Sequence, residues 1–267
     1  MKLHPKTLIE VQKHAQELYP EESCGVIVGG EYIRCTNVAD PIEAHDEKKK
    51  YDCTCKLCSF KIAPEEYLNL GRGKIEAIIH SHPGGPFFPS ERDMQGQMDT
   101  GVSWGLLVVD EDRVSKVDFW GDDEPIPPLV GRPFVHGITD CYSLIRDVYR
   151  LGKEKLAEQG ITNEWPFDPI LIKDVPRSDA WWEQEDRDLY TDLFESRGFH
   201  KIPASEVQPG DLFLGAIKSK KLNHGGIYSG NDLILHHLPT KLSVRSPSGL
   251  WARAATMWVR YEGHPDA

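Results

Sequence analysis

His80 and His82 stand two positions apart, and Asp93 follows after a stretch that ends in Ser90-Glu91-Arg92. Side chains at i and i+2 of a strand leave on the same side, so both imidazoles can reach one ion. Ser90 and Asp93 have the Ser-x-x-acid spacing of a helix start, which puts the carboxylate in the first turn of the next helix. Two imidazoles and one carboxylate, with a fourth position left open, make a catalytic zinc set rather than a closed structural one. A histidine pair alone reads as strand-end packing beside an ordinary cap. The offset of Asp93 is what argues for the ion.

A second constellation lies in the other half of the chain. Thr139-Asp140-Cys141 opens a helical pattern. A cysteine in a first turn meets unpaired N–H groups and the positive end of the helix dipole, which favours its thiolate. His224 begins the run HGGIYSG, and His236 follows twelve residues later, beyond a Ser-Gly-Asn-Asp turn. Adjacent antiparallel strands would bring the two histidines together. That supplies a nucleophile, a base and an orienter. His237 is read as a packing or solvent-facing side chain.

Cys53, Cys55 and Cys58 place three thiols within six residues, with Cys35 available as a fourth donor. Thiolate clusters select zinc or an iron–sulfur centre; the plainer alternative is a surface loop with fortuitous cysteines. Gly71-Arg72-Gly73-Lys74 lacks P-loop spacing and reads as a turn. Glu47-Lys48-Lys49-Lys50 reads as a solvated loop, and Trp181-Trp182 as packing a helix onto the core rather than stacking on a sugar.

The elements that must hold these groups follow from periodicity. Leu8, Val11, Ala15 and Leu18 share a helical face, and Pro20 stops that helix. Apolar runs over 25–28, 75–79, 105–109 and 114–120 read as strands. A helix is expected over 141–151, capped by Thr139 or Asp140, and another over 180–194. Strands are expected over 211–217, 224–229, 233–238 and 256–261. Between the halves lies GDDEPIPPLVGRP, whose four prolines forbid a helix or central strand. The expected domains are 1–124 and 133–267, with a proline-rich acidic linker over 125–132.

The 267 residues are enough for two modest domains with real cores. The net charge of −11 divides unevenly, −9 over 1–128 and −2 over 129–267. An acidic chain with no basic run argues against nucleic-acid binding, which needs Lys and Arg to displace counterions. No apolar stretch approaches the 18 or so residues of a membrane span. The first residues lack the apolar segment and small-residue cleavage site of a secretory signal, so cytoplasmic synthesis with reduced thiols is expected.

Residues 6–120 resemble the JAMM (MPN) metalloproteases. The spacing His80-Ser81-His82, seven residues, Ser90, two residues, Asp93 is similar to that family's zinc motif. Glu22-Ser23-Cys24-Gly25 is similar to its upstream E-x-C-G. The resemblance implies His80, His82 and Asp93 as zinc ligands, Glu22 as general base and Ser90 as an aid to the oxyanion. Glu21 is read as a solvated surface acid. Bound zinc brings the pKa of water near 7, within reach of a carboxylate base.

Residues 130–240 resemble the NlpC/P60 cysteine peptidases through Asp140-Cys141, the run from His224 to Gly230, and His236. The resemblance implies Cys141 as nucleophile, His224 as base and His236 as polar orienter. Pro209-Gly210-Asp211-Leu212 matches a strand start of that family. Two positions depart from it. Tyr142-Ser143 replaces Ser-Gly, and Phe134 replaces a tyrosine whose hydroxyl would assist the oxyanion. Phe134 cannot donate, so either His136 or backbone N–H groups take that part or the activity is reduced.

Together the resemblances imply a two-domain α+β/α-β chain. Its N-terminal half would be a cytidine-deaminase-like mixed sheet with helices, and its C-terminal half a papain-like α+β domain. The pairing, with RPFVHG, DCYSLIRDVY and LHHL, resembles the tail-tip assembly protein K family of lambda-like phages. That implies a virion component at the tail tip, made in the host cytoplasm and acting in the bacterial envelope during DNA entry. Peptidoglycan stem peptides and other tail-tip proteins would be its partners. The alternatives are a tail scaffold with one or both sites inactive, and a cellular isopeptidase of the JAMM type.

Overall fold

The computed structural model describes residues 1–46, 53–70 and 74–263. The expected loop at 47–50 and most of the expected turn at 71–74 lie outside them. The chain divides into two compact units, Met1–Pro125 and Ile126–Ala267. Among the described residues no helix is long and apolar enough to cross a membrane.

In the first unit, α1 (Pro5–Leu18) is followed by β1 (Cys24–Val28), β2 (Glu31–Cys35) and α2 (Pro64–Leu70). After these come β3 (Ala77–Pro83), α3 (Glu91–Thr100), β4 (Ser103–Val109) and β5 (Asp118–Trp120). The sheet runs β2-β1-β3-β4-β5. Only β3 and β4 are parallel, and α3 provides the crossover that a parallel pair requires. Alternation along the strands sorts the side chains. Ile27, Ala77, Ile79, Leu107 and Val109 pack with Val11 and Ala15 of α1. The opposite face carries His80, Trp104 and Trp120, whose rings meet edge to face or tilted. There α3 sits close, because a Cβ on Gly96 would come within 2.5 Å of the Trp104 indole.

The second unit contains α4 (Cys141–Glu158), α5 (Leu189–Leu193), β6 (Phe199–Ile202), β7 (Leu212–Gly215) and β8 (His224–Gly230). It ends with β9 (Leu233–His236), β10 (Val244–Pro247), α6 (Ser248–Ala254) and β11 (Ala255–Tyr261). Its sheet is antiparallel throughout, in the order β10-β9-β8-β7-β11-β6. Leu144, Ile145, Val148, Tyr149 and Leu156 of α4 bury against Leu212, Leu214, Ile227, Leu235 and Val259. Each such side chain contributes about 1.5–3 kcal/mol on leaving water. Phe213, Ile234 and Trp258 form a second cluster, with Trp251 of α6 packed on it.

Several expectations change in extent. β3 runs past 79 to Pro83, so both histidines are strand residues. The run 114–120 shortens to β5. α4 extends past 151 across a break at Gly152, where φ is +69° and a Cβ would meet the Pro169 backbone at 2.5 Å. The expected helix over 180–194 is instead a 3-10 turn at Trp181–Glu183 followed by α5. There the Lys221 ammonium donates to the carbonyls of Gln184, Glu185 and Arg187. Within 125–132, expected as linker, Leu129 lies in the core of the second unit and Arg132 pairs with Asp147.

Candidate active sites

The antiparallel register of β1 on β3 pairs Cys24 with His80, and the Ser81 N–H donates to the Ser23 carbonyl one step further on. Glu22 lies two residues before that paired stretch, which carried on would set it opposite His82, and the charges of the two groups interact. Opposite residues of a ladder share a face, so the carboxylate and both imidazoles converge. Ser23 and Ser81 lock this end through a 3.0 Å hydroxyl bond.

His80 Nε2 and His82 Nε2 lie 3.2 Å apart, and the Asp93 carboxylate oxygens lie 3.4 Å and 3.3 Å from them. Zinc–ligand bonds of about 2.0–2.1 Å at tetrahedral angles separate ligand atoms by about 3.3–3.4 Å. The donor set therefore fits a zinc-sized ion. His82 Nδ1 donates to the Pro86 carbonyl at 3.0 Å, which leaves the lone pair on Nε2 in a neutral ring. His80 stacks on Phe60, ring centroids 4.6 Å apart.

Asp93 caps its own helix reciprocally with Ser90. Its N–H donates to Ser90 Oγ, while Oδ2 accepts from both the Ser90 N–H and hydroxyl at 2.7 Å. Ser90 thus orients the Asp93 carboxylate. Glu22 is only 4% exposed. Burial, with Asp93 adding to it, pushes its carboxyl up to about 8 against the pull of His82. Burial holds His80 below its usual range. It opposes the charge on His82 too, but Asp93 and Glu22 raise that ring to about 9. Glu21 is half-buried and pairs with Lys56.

Cys141 opens α4 with Asp140 as N-cap, the Asp140 carboxylate accepting from the Ser143 N–H at 2.8 Å. Gly225 lets the helix approach β8, since a Cβ there would stand 3.1 Å from Ile145. The Cys141 sulfur lies 3.4 Å from the Tyr190 hydroxyl of α5. Among the described residues no hydrogen bond joins Cys141 to His224. Contrary to the expectation from the helix dipole, the thiol is pushed up: burial dominates and Asp140 adds to it, over the pull of Tyr190 and the Gly225 N–H.

His224 and His236 do meet, at 5.7 Å between ring centroids and edge to face, with Trp251 against both. His236 Nε2 contacts the Ser246 hydroxyl at 2.9 Å. His224 Nε2 and His236 Nδ1 are buried without hydrogen-bond partners. Burial lowers His224 to about 3 and His236 to about 4, their histidine neighbours adding to it. His237 is fully buried rather than solvent-facing, and its Nε2 donates to the Lys241 carbonyl.

Around the thiol, two residues carried no signal in the sequence. Tyr190 is one. Arg177 is the other, a buried partner of Asp140 at 2.6 Å that lies in an irregular segment. Against its burial, Arg177 and His136 hold the Asp140 carboxyl well below its usual range. His136 Nε2 donates to the Arg177 carbonyl at 3.1 Å, so the ring braces this pair. Phe134 packs edge to face on His237.

The cysteine group needs one correction. Cys35 lies on β2 across from Cys24, its thiol directed at the Ile33 carbonyl, and is not among the clustered donors. His45 stands beside Cys53, Cys55 and Cys58 in its place. A strand partner of Cys24 is committed to the sheet, and no spacing rule singles out His45. All six cysteines are free thiols.

Residues 4–120 match the family model of prokaryotic homologs of the JAB domain, and residues 131–260 match the NlpC/P60 family. Fold and donor sets thus define a JAB domain joined to an NlpC/P60 domain. Tail tip assembly protein K of Escherichia phage lambda is 38% identical over 185 residues, which span 69% of this chain and 80% of that protein. The protein of the same description from Escherichia phage N15 is 30% identical over 268 residues, 97% of this chain and 96% of that one. A solved NlpC/P60 family protein from Bacillus cereus aligns with 55% of this chain and 45% of its own at 17% identity, with a TM-score of 0.30. The chain belongs to the tail tip assembly protein K family.

Proposed function

We infer that this protein is a phage tail-tip component that hydrolyses peptide bonds, with a zinc site in its first unit and a thiol site in its second. The observation that carries the reading is the convergence of His80, His82 and Asp93, whose ligand atoms lie within 4.8 Å of one another, beside the buried Glu22. A bound zinc ion would polarise the scissile carbonyl and render water acidic enough to ionise near neutral pH. Glu22 takes the proton from the attacking water and delivers it to the leaving amine. Ser90 holds Asp93 at a fixed angle, and the Pro86 carbonyl fixes the tautomer of His82.

In the second unit Cys141 attacks the carbonyl of a peptidoglycan stem peptide, for which the γ-D-glutamyl–diaminopimelate linkage is the expected substrate. The Sγ–C bond forms as His224 accepts the thiol proton. That proton passes to the departing amine as the C–N bond breaks, and water then cleaves the thioester. His236 supports His224. The buried imidazoles are neutral and keep a lone pair, but burial weakens them as bases, so the thiol proton moves only as the Sγ–C bond forms; the two centres act independently. Acting in the envelope during DNA entry, the enzyme would open stem peptides ahead of the tail.

Phe134 and the raised Cys141 thiol favour a second reading, in which the thiol unit serves only as scaffold. The test is digestion of purified peptidoglycan with mass spectrometry of the fragments. Wild type is compared with Cys141→Ala and Glu22→Gln. A stem-peptide cut lost in Cys141→Ala and kept in Glu22→Gln is expected. Equal digestion by wild type and Cys141→Ala refutes the thiol chemistry.

A further inference from the structure

Apart from both of these sites, His45 Nδ1 and the sulfurs of Cys53, Cys55 and Cys58 all lie within 4.8 Å of one another. Nδ1 is 3.6 Å from Cys53 Sγ and 3.4 Å from each of the other two sulfurs. The Cys53 and Cys55 sulfurs are 3.4 Å apart, those of Cys55 and Cys58 4.0 Å. Tetrahedral zinc with bonds of about 2.3 Å to sulfur and about 2.0–2.1 Å to nitrogen separates sulfurs by about 3.8 Å, and sulfur from nitrogen by about 3.5 Å. The observed edges bracket both values. An iron–sulfur cluster puts several irons and sulfides between its ligand sulfurs and would spread them further. This space holds one ion.

We propose that His45, Cys53, Cys55 and Cys58 bind one structural zinc ion, which ties down the segment walling the His80–His82–Asp93 site. Three thiolates and an imidazole close the tetrahedron and leave no open position, unlike the set on β3 and α3. The cysteine-bearing segment meets that neighbouring site at four points. The Lys56 carbonyl accepts from the Glu22 N–H at 2.7 Å. Asn37 Nδ2 donates to the carbonyls of both Glu22 and Ser59, at 3.0 and 3.1 Å. Arg92, next to Asp93, donates to the Cys53 carbonyl at 3.0 Å. Phe60 stacks on His80.

Residues 53–62 form no helix or named strand; their backbone is tied by isolated bridges at Asp40–Cys55 and Asn37–Ile62 and by the Glu22 N–H on the Lys56 carbonyl. Separate backbone bonds rather than a continuous ladder hold this wall, and a metal clip would add a further tie. These residues act on Glu22 and His80 by position. None of them reaches the reacting atoms.

Elemental analysis of the full chain, purified without added metal, should find two zinc ions. Cys53→Ser/Cys55→Ser should keep one, and His82→Ala should keep the other. With cobalt as the probe, the sulfur-to-cobalt charge-transfer band should persist in His82→Ala and vanish in the double cysteine variant. Should that variant not fold, wild type suffices: a thiol-specific mercurial should displace one zinc per chain, read with a colorimetric chelator. No displacement, no sulfur–cobalt band in His82→Ala, or iron in place of zinc would each overturn the assignment. The tether has its own readout, because trypsin should cut at Lys56 and Lys61 at least tenfold faster in the cysteine variant than in His82→Ala. Equal rates would overturn the tether.

Discussion

Cys141 is subject to opposing influences: the first turn of α4 favours its thiolate, while burial and the Asp140 carboxylate disfavour it, and the latter prevail. With His224 neutral down to about pH 3, the resting pair is thiol and imidazole, not an ion pair. Alkylation of Cys141 by iodoacetamide, followed by peptide mass mapping, should therefore be slower at pH 7 than for a free cysteine. It should still be rising above pH 8.5. A rate already on its plateau at pH 6 would disprove this. At this scale the grouping of His80, His82 and Asp93 was legible, because an i, i+2 histidine pair and a Ser-x-x-Asp cap are local patterns. Tyr190, Arg177 and His45 were not legible, since each reaches its partner across a segment without periodicity.

At the scale of elements, α3 serves two purposes with one capping box. Replacing Ser90 by alanine removes the hydroxyl that receives the Asp93 N–H and donates to Oδ2. The helix should lose about 0.5–2 kcal/mol of stability. Affinity at the His80–His82–Asp93 site should fall about 10–100-fold, as when an outer-shell partner of a ligand is removed. Competitive zinc titration against a chelator measures the second effect, and unchanged affinity would show that Asp93 is oriented by other means. Strands with two neighbours, such as β3, β4 and β8, were readable from their buried runs. The peripheral strands β2, β6 and β10 were not, because their residues alternate weakly between water and protein and are defined by the neighbour they pair with. Where a helix was expected, over 180–194, a lysine distant in sequence donates to the backbone carbonyls.

For the whole molecule, two units with separate cores imply two melting transitions. The second buries His224 and His236 in neutral form, with values of about 3 and 4. An unfolded histidine takes up a proton below about pH 6.5. Between about pH 4 and 6.5 the unfolded chain thus binds more protons, and stability falls as pH falls across that window. Calorimetry at pH 7 and pH 5 should find the transition of the second unit lowered. His224→Gln should flatten that dependence, and an unaltered slope would rule out the neutral burial. Limited proteolysis should first cut near Asp122–Asp123, which are exposed, and not at Leu129 or Arg132, which are buried. Each fragment should keep a cooperative melt. The proline-rich composition of 121–133 marked the division, but not that Leu129 belongs to the packing of the second unit.

The ladder between β1 and β3 also acts as a ruler, and it makes the first site unequally sensitive to gain and loss of residues. What stands opposite His82 is whatever residue lies two places before Cys24. Deleting Ser23 would draw Glu21 into that berth, and the incoming side chain would again be a glutamate. The cost would fall on the Ser23–Ser81 hydroxyl bond and on the Glu21–Lys56 pair. Inserting a residue at the same point would bring in Ser23 or the newcomer and leave no carboxylate there. Shortening by one codon is thus expected to keep a carboxylate beside His82, and lengthening by one to remove it.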